Sequence, residues 1–361
     1  MGRQHTPRLE IYPQRIAENV RDVLERCHHH GAQVACVTKV MCAHPALVKT
    51  FVENGADMLA DSRIENLKFI SEIYPDLPRL LLRLPALREA EDAIRYADCS
   101  LNSSLATMEK LSQAAGAAKK IHQVIIMVDM GDLREGVWPD RAVDLVCEAA
   151  RLPHIEVVGL GTNLACYGGV IPTVENMRAL IECRNACREA SGLPLETLSG
   201  GNSANLPLLA SGGMPAEINH FRIGEAIILG RNVLDRSPLP GTRQDGVRVV
   251  AEIIETEHKP SIPIGPRGQD AFGQQVEFVD RGVRQRALLN LGRQDVDIEG
   301  LTPEDEGIII LGGSSDHLVL DVSDASKPLN LGDEVGFFPS YSALLAASTS
   351  PYVEKVVLDA Q

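Results

Sequence analysis

The chain has 361 residues, 44% of them hydrophobic and 23% charged, the balance of a globular protein with a sizeable core and not of a disordered one. Its length predicts two domains unless a large barrel takes most of it. Thirty-five Lys and Arg against 49 Asp and Glu leave a formal charge of −14, which repels a polyphosphate backbone and argues against nucleic acid as a partner.

No apolar run approaches the roughly 20 residues that span a bilayer, so no membrane partner is expected. The N-terminus, Met1-Gly-Arg-Gln-His-Thr-Pro, lacks the apolar stretch of a secretory signal, and a cytoplasmic location is the expectation. The eight cysteines, at 27, 36, 42, 99, 147, 166, 183 and 187, have irregular spacing and read as reduced, mostly structural residues.

In chain order, Leu9–Tyr12 reads as a strand that precedes the main repeat. Eight further β-branched runs follow, at Val34–Val40, Asp57–Asp61, Arg79–Leu84, Cys99–Asn102, Gln123–Asp129, Val157–Thr162, Glu196–Ser199 and His220–Ile228. Amphipathic, helix-like segments lie between them: Pro13–His30, Pro45–Glu53, Ile64–Ile73, Leu105–Ala115, Asp140–Ala150 and Val174–Ser191. Eight βα repeats predict a closed α/β architecture, a (β/α)8 TIM barrel. A doubly wound dinucleotide fold is disfavoured, because the first strand is followed by Lys39-Val-Met-Cys-Ala-His-Pro without a glycine, and Gly159-Leu-Gly-Thr-Asn-Leu lacks the third Gly. Beyond Ser237-Pro-Leu-Pro-Gly-Thr come short strands at Val247–Thr256, Ala287–Leu291, Gly307–Leu311, Leu318–Val322 and Glu334–Phe338. The expected organisation is an N-terminal strand in 1–12 pairing with the β domain, a barrel over 13–235, and a C-terminal, mostly β domain over 236–361.

Lys39 emerges from the apolar run Val34-Ala-Cys-Val-Thr at a strand end, where barrels place their chemistry. Desolvation there would lower its amine pKa and suit it to attack an aldehyde; a lysine reaching to solvent is the plainer alternative. Polar residues recur at other strand ends, in Asp61-Ser-Arg63, Asn102-Ser103, Asp129 to Arg134, Thr162-Asn163 and Gly200-Gly-Asn-Ser203, and Arg222-Ile-Gly224 lies early in the eighth strand. The turns after the seventh and eighth strands occupy the common phosphate position of such barrels, with Gly for close backbone approach and the Ser203 hydroxyl as a further donor.

These motifs, with Gly332-Asp-Glu-Val335, resemble the alanine racemase fold of pyridoxal-phosphate enzymes. Ala60-Asp-Ser-Arg-Ile-Glu-Asn66, Gly131-Asp-Leu-Arg-Glu-Gly136, Leu291-Gly-Arg-Gln-Asp295 and Gly313-Ser-Ser-Asp-His317 are most similar to its ornithine racemases. The resemblance implies pyridoxal 5′-phosphate (PLP) as cofactor, a small amino acid as substrate, and a homodimer with shared active sites; no metal is expected, because His28-His-His30 before Gly31 suits a helix C-terminus and Cys183 and Cys187 have no histidine nearby. It implies that Lys39 is the Schiff-base lysine and returns a proton to Cα. Ser203, Asn202, Gly224 and Glu225 would hold the phosphate, with Tyr352 of the β domain. Arg222 would face the pyridine nitrogen, Asn163 takes the place of a histidine, and Arg134 would sit near the phenolic oxygen or the substrate carboxylate. The chain departs from the pattern at Phe272, where the family has a catalytic tyrosine, and at Ala43-His44, where another tyrosine is usual. The second acid/base is therefore sought among His317, Asp316, Asp295 and Tyr341. His317 comes first because histidine is the residue type suited to acid/base work near neutrality, whereas Asp295 could instead bind a distal ammonium or serve as a turn residue. A racemase of lysine, arginine or alanine, a non-catalytic PLP carrier, and an aldolase or decarboxylase of the same fold are the alternatives.

Overall fold

The structure is a computed structural model that describes residues 5–273, 275 and 277–358. After the first strand, β1 (Arg8–Ile11), come β2 (Gln33–Val37), β3 (Met58–Asp61), β4 (Arg79–Leu81), β5 (Cys99–Asn102), β6 (His122–Met127), β7 (Ile155–Gly161), β8 (Thr197–Gly201) and β9 (His220–Ile223). Strands β2 to β9 close into a parallel barrel, as the eight βα repeats predict. All six expected helices form, three of them with the expected bounds. Their ends follow from local chemistry. Pro45 opens one behind His44, whose Nδ1 accepts the Ala46 N–H at 3.3 Å. Another starts in a Thr173/Asn176 capping box and stops at Gly192 in the left-handed region.

Two strand expectations are corrected. The first barrel strand ends at Val37, because Thr38 turns into the helical region (φ −94°, ψ −10°) and Lys39 opens a 3-10 turn. The run from His220 to Ile228 is not one strand: it breaks at Gly224, and Glu225–Leu229 is a short helix. A short apolar run carries no period that separates the two states. The helix Ala90–Tyr96, between β4 and β5, was not anticipated either.

Ala35, Val37, Ala60, Leu80, Leu101, Ile125 and Met127, from successive strands, pack into one buried cluster. Their registers place them on a single face, which in a closed ring is the interior. Glycines thin this wall on one side. A Cβ on Gly159 would stand 1.8 Å from the Thr197 carbonyl oxygen of β8, so the glycine of the rejected dinucleotide match has a packing role.

The second unit contains β10 (Val247–Pro260), β11 (Val283–Leu289), β12 (Leu301–Pro303), β13 (Ile309–Gly313), β14 (Leu318–Asp321), β15 (Glu334–Pro339) and β16 (Glu354–Val357). The sheet runs β12-β15-β10-β11-β14-β13, and β1 pairs antiparallel with β10 and parallel with β16. Arg8 of β1 is buried; its Nε meets Glu10 at 2.8 Å and its two Nη atoms grip Glu334 at 2.7 Å. The segment expected to open this unit at 236 belongs instead to the barrel, which extends to Gln244. Arg231 bridges to Pro238, and the Thr242 hydroxyl donates to the Gly230 carbonyl at 2.8 Å. Among the described residues no helix is long and apolar enough to cross a membrane.

Gly159→Ala should cost about 3 kcal/mol or more, since a methyl group there has to displace main chain and not a flexible side chain. Equilibrium urea unfolding checks it; an unchanged midpoint would contradict the close approach of β7 and β8.

Candidate active site

Lys39 lies in the turn after β2, and that turn is strained: Cys42 and Ala43, neither of them glycine, adopt φ of 51° and 50°. It is clamped from β3. Thr38 Oγ1 donates to Asp61 Oδ2 at 2.6 Å, while Asp61 Oδ1 accepts the Arg63 N–H at 2.9 Å and Asn66 Nδ2 at 3.0 Å. Asp61 is fully buried, and burial raises its pKa against the pull of these donors. Lys39 itself is held below the usual lysine range by burial, with Arg134 adding to the depression and Cys166, Asp61 and Glu135 opposing it.

Arg222 projects from β9 on the cluster face, opposite Ala35 of β2. It is buried, donates from Nη2 to the Thr162 carbonyl at 2.7 Å and to Asn163 Oδ1 at 3.4 Å, and donates from Nη1 to Ser199 Oγ. Burial lowers its pKa to about 10, and Glu135, Arg134 and Cys166 act on it as they do on Lys39. Lys39 and Arg222 therefore share one electrostatic field at the barrel's C-terminal end.

The turn after β8 is organised by asparagines. Asn202 donates from Nδ2 to Asn163 Oδ1 at 3.1 Å and to the Leu164 carbonyl at 2.8 Å, and its Oδ1 accepts the Ala204 N–H at 2.8 Å. Gly201 has φ +135°, and a Cβ there would meet Asn205 Oδ1 at 2.6 Å. Ser203 Oγ accepts the Ala226 N–H at 3.2 Å, joining this turn to the one after β9. Glu225 is paired with Arg236, and burial raises its pKa.

Of the expected barrel residues, Lys39, Arg134, Asn163, Asn202, Ser203, Gly224 and Glu225 thus follow the C-terminal ends of barrel strands, while Arg222 lies within β9. Arg134 pairs with its neighbour Glu135. Asp132 turns away from solvent and accepts amides of Tyr167 at 2.8 Å and Val170 at 3.2 Å, fixing the loop that carries Cys166.

The remaining candidates belong to the β unit. His317 Nδ1 meets Asp316 Oδ1 at 3.1 Å, and both side chains are well exposed. Asp295 is buried and its Oδ2 accepts the Gly292 N–H at 2.9 Å, the geometry of a turn residue. Tyr341 opens the helix Tyr341–Thr349, and Tyr352 is exposed. Phe272 lies under the Arg293 guanidinium, 4.9 Å from the ring centre.

Four contributors went unrecognised in the sequence: Ser199, His220, Glu135 and Cys166. A signal existed for His220, because the period of two puts it on the same strand face as Arg222.

PLP suits what stands at the barrel mouth. Its aldehyde calls for a lysine held toward neutrality, which Lys39 is; its phosphate calls for glycine-lined backbone and a hydroxyl, which Gly201, Ser203 and Gly224 supply; and its ring calls for polar groups still lacking a partner. Asn163 Nδ2 and Thr162 Oγ1 are buried with no hydrogen-bond partner among the described residues.

Residues 11–232 match the family model described as alanine racemase, N-terminal domain. The chain belongs to the alanine racemase family, and its activity is that of an amino-acid racemase, an isomerase. It is 41% identical to an ornithine racemase of Acetoanaerobium sticklandii over 355 residues, 98% of this chain and 99% of that one. It is also 41% identical to a lysine racemase of Thermotoga maritima over 350 residues, 97% and 98% of the two chains. The alanine racemase of Corynebacterium glutamicum shares the fold, with a TM-score of 0.75 at 16% identity over 98% of this chain and all of that one.

Two buried histidines give the barrel an acid limit. Burial lowers His122, whose Nε2 meets Ser100 Oγ at 2.8 Å, to about 4, and lowers His220 to about 3. In the unfolded chain both take a proton near the ordinary 6.5, so below that pH the unfolded state binds more protons and stability falls as pH falls. Between pH 6.5 and about 4, His122→Gln should lessen this slope by up to about 1.4 kcal/mol per pH unit. Urea unfolding across that window measures it, and parallel curves for variant and parent would refute the assignment.

Proposed function

We propose that this racemase uses PLP to interconvert the enantiomers of a basic amino acid, ornithine first and lysine second. The observation that carries the reading is Lys39, desolvated at the barrel mouth in the same field as the buried Arg222. Equal identity to an ornithine and a lysine racemase supports a substrate with a distal ammonium and does not rank the two.

When bound, PLP supplies a carbonyl that takes the substrate's amino group and an electron-withdrawing ring that acidifies its Cα–H. Lys39 would anchor the aldehyde carbon, and Ser203 with the amides around Asn202, Gly224 and Glu225 would hold the phosphate. Arg222 would face the pyridine nitrogen. A guanidinium gives up its proton reluctantly even with its pKa lowered to about 10, so it donates a hydrogen bond without protonating the ring. Lys39 Nζ takes and returns the proton at the substrate Cα on one face, and its depressed pKa keeps part of the population neutral for that work. Arg134 would steer the substrate carboxylate. The test is direct: Lys39→Ala should lose the visible absorbance of bound PLP and at least 10⁴-fold in the racemisation of L-ornithine followed by polarimetry. Retention of both would sink the assignment.

Racemisation also needs a proton donor on the second face of Cα, and Phe272 has none to give. His317, backed by Asp316, is the proposed group, and Asp295, Asp316 and Tyr341 are the reserves. We further propose that the working form is a homodimer in the cytoplasm whose active sites combine the barrel of one protomer with the β unit of the other. Mixing Lys39→Ala with His317→Asn protomers checks both ideas together. Shared sites predict recovery of roughly a quarter of parental activity from two nearly inactive proteins, since half the dimers are hybrid and each carries one intact site. No recovery, with subunit exchange verified, would reject the arrangement.

A further inference from the structure

Behind Arg222 stands a second layer of polar side chains for which the proposed function has no role. Ser199 and His220 are cross-strand partners on β8 and β9, and His220 precedes Arg222 by two residues, so all three share the interior face. Ser199 and His220 are buried as completely as Arg222. Ser199 Oγ lies 2.7 Å from His220 Nδ1 and receives Nη1 of Arg222.

The proton positions follow from donors and acceptors. A guanidinium only donates, so Ser199 Oγ accepts from Arg222 and its own hydroxyl hydrogen is left for His220. In the arrangement that uses this hydrogen, His220 Nδ1 accepts and the imidazole proton sits on Nε2, which is buried with no hydrogen-bond partner among the described residues. Burial, with Arg222 adding its charge, pushes His220 to about 3 and keeps the ring neutral throughout the physiological range. The other charged or titratable groups acting on Arg222 are Glu135, Arg134 and Cys166. None of these occupies the place of Ser199. An apolar residue at 220 would leave the Ser199 hydroxyl hydrogen without its acceptor, so that only the pull of the guanidinium itself would hold the Oγ lone pair on Arg222.

We infer that His220 is a positioning residue for Arg222: acting through Ser199, it fixes the direction of one hydroxyl and thereby the orientation of the guanidinium. As a statement about how the cofactor ring is held, this rests on the assignment of Arg222 proposed above; as a statement about Arg222 itself, it does not.

Two measurements on Ser199→Ala, His220→Leu and His220→Asn test it. In cofactor-free protein labelled with 15N-arginine, the Arg222 guanidinium N–H signal is assigned by its loss in Arg222→Lys. Its exchange with solvent should be roughly tenfold faster in Ser199→Ala and His220→Leu, as expected for one lost hydrogen bond. Exchange should stay near the parental rate in His220→Asn, whose side-chain oxygen can replace Nδ1 as acceptor. With PLP added, the pH at which the bound cofactor's absorbance changes should move in the first two variants and not in the third.

Parental exchange rates and absorbance midpoints in His220→Leu, accompanied only by a lower melting temperature, would mark His220 as packing and overturn the inference. If exchange behaves as expected but no protein, the parent included, binds PLP, the relay stands and the proposed function fails. His220→Val poses the same question should His220→Leu not fold.

Discussion

A guanidinium buried inside a closed barrel cannot shed its charge cheaply and must be hydrogen-bonded wherever it turns, and much of the site's architecture answers that demand. Arg222 has lost most of its hydration, which is why its pKa falls to about 10. The compensation comes from main chain and small polar side chains: the Thr162 carbonyl, Asn163 and Ser199. Space for it comes from the glycines on the facing strands. A Cβ on Gly161 would already be 3.1 Å from that of Ser199. Strand composition and charge placement are in this sense one problem, because a wall of β-branched residues would leave no room for the ion or its partners.

The same logic extends to Lys39 with the opposite outcome. An ammonium can lose its proton, so burial depresses its pKa instead of requiring a full set of partners. The protein's effort there goes into backbone geometry. Two non-glycine residues in the left-handed region are held by the Thr38–Asp61 hydrogen bond and the donors behind it. One cation is fixed by its ligands and the other by the turn it stands on.

Much of this was legible in the sequence, for identifiable reasons. The eight strands were recoverable because short apolar runs alternate with amphipathic stretches, and Pro45, Thr173 and Gly192 mark helix ends with chemistry that depends on few neighbours. The helix Glu225–Leu229 was not, since Ala226-Ile-Ile-Leu fits a buried strand equally well until Gly224 is seen to break the direction of the chain. The helix Tyr341–Thr349 shows no helical period because apolar and small residues run all round it, with no charged face opposite the buried Ala343, Leu344 and Ala347. Among the site residues, those with unusual chemistry for their surroundings, Lys39 and Arg222, stood out. Ser199 and His220 did not, because a serine and a histidine become informative only when the register sets them side by side. Glu135 and Cys166 depend on how loops fold back over the strand ends, which no local pattern encodes.

The N-terminal strand gives the chain an order of assembly. β1 is hydrogen-bonded on both edges, to β10 on one side and β16 on the other, and neither partner exists until the last third of the polypeptide has been made. The barrel strands need nothing beyond Ile223 to close their ring. During synthesis β1 leaves the ribosome ahead of the barrel and is thus among the last of these elements to find its place, waiting as an unpaired edge while more than two hundred residues are made behind it. A ribosome that stops after the barrel releases a chain whose β1 has lost both neighbours, while one that continues joins β1 in a single sheet to strands made more than two hundred residues later.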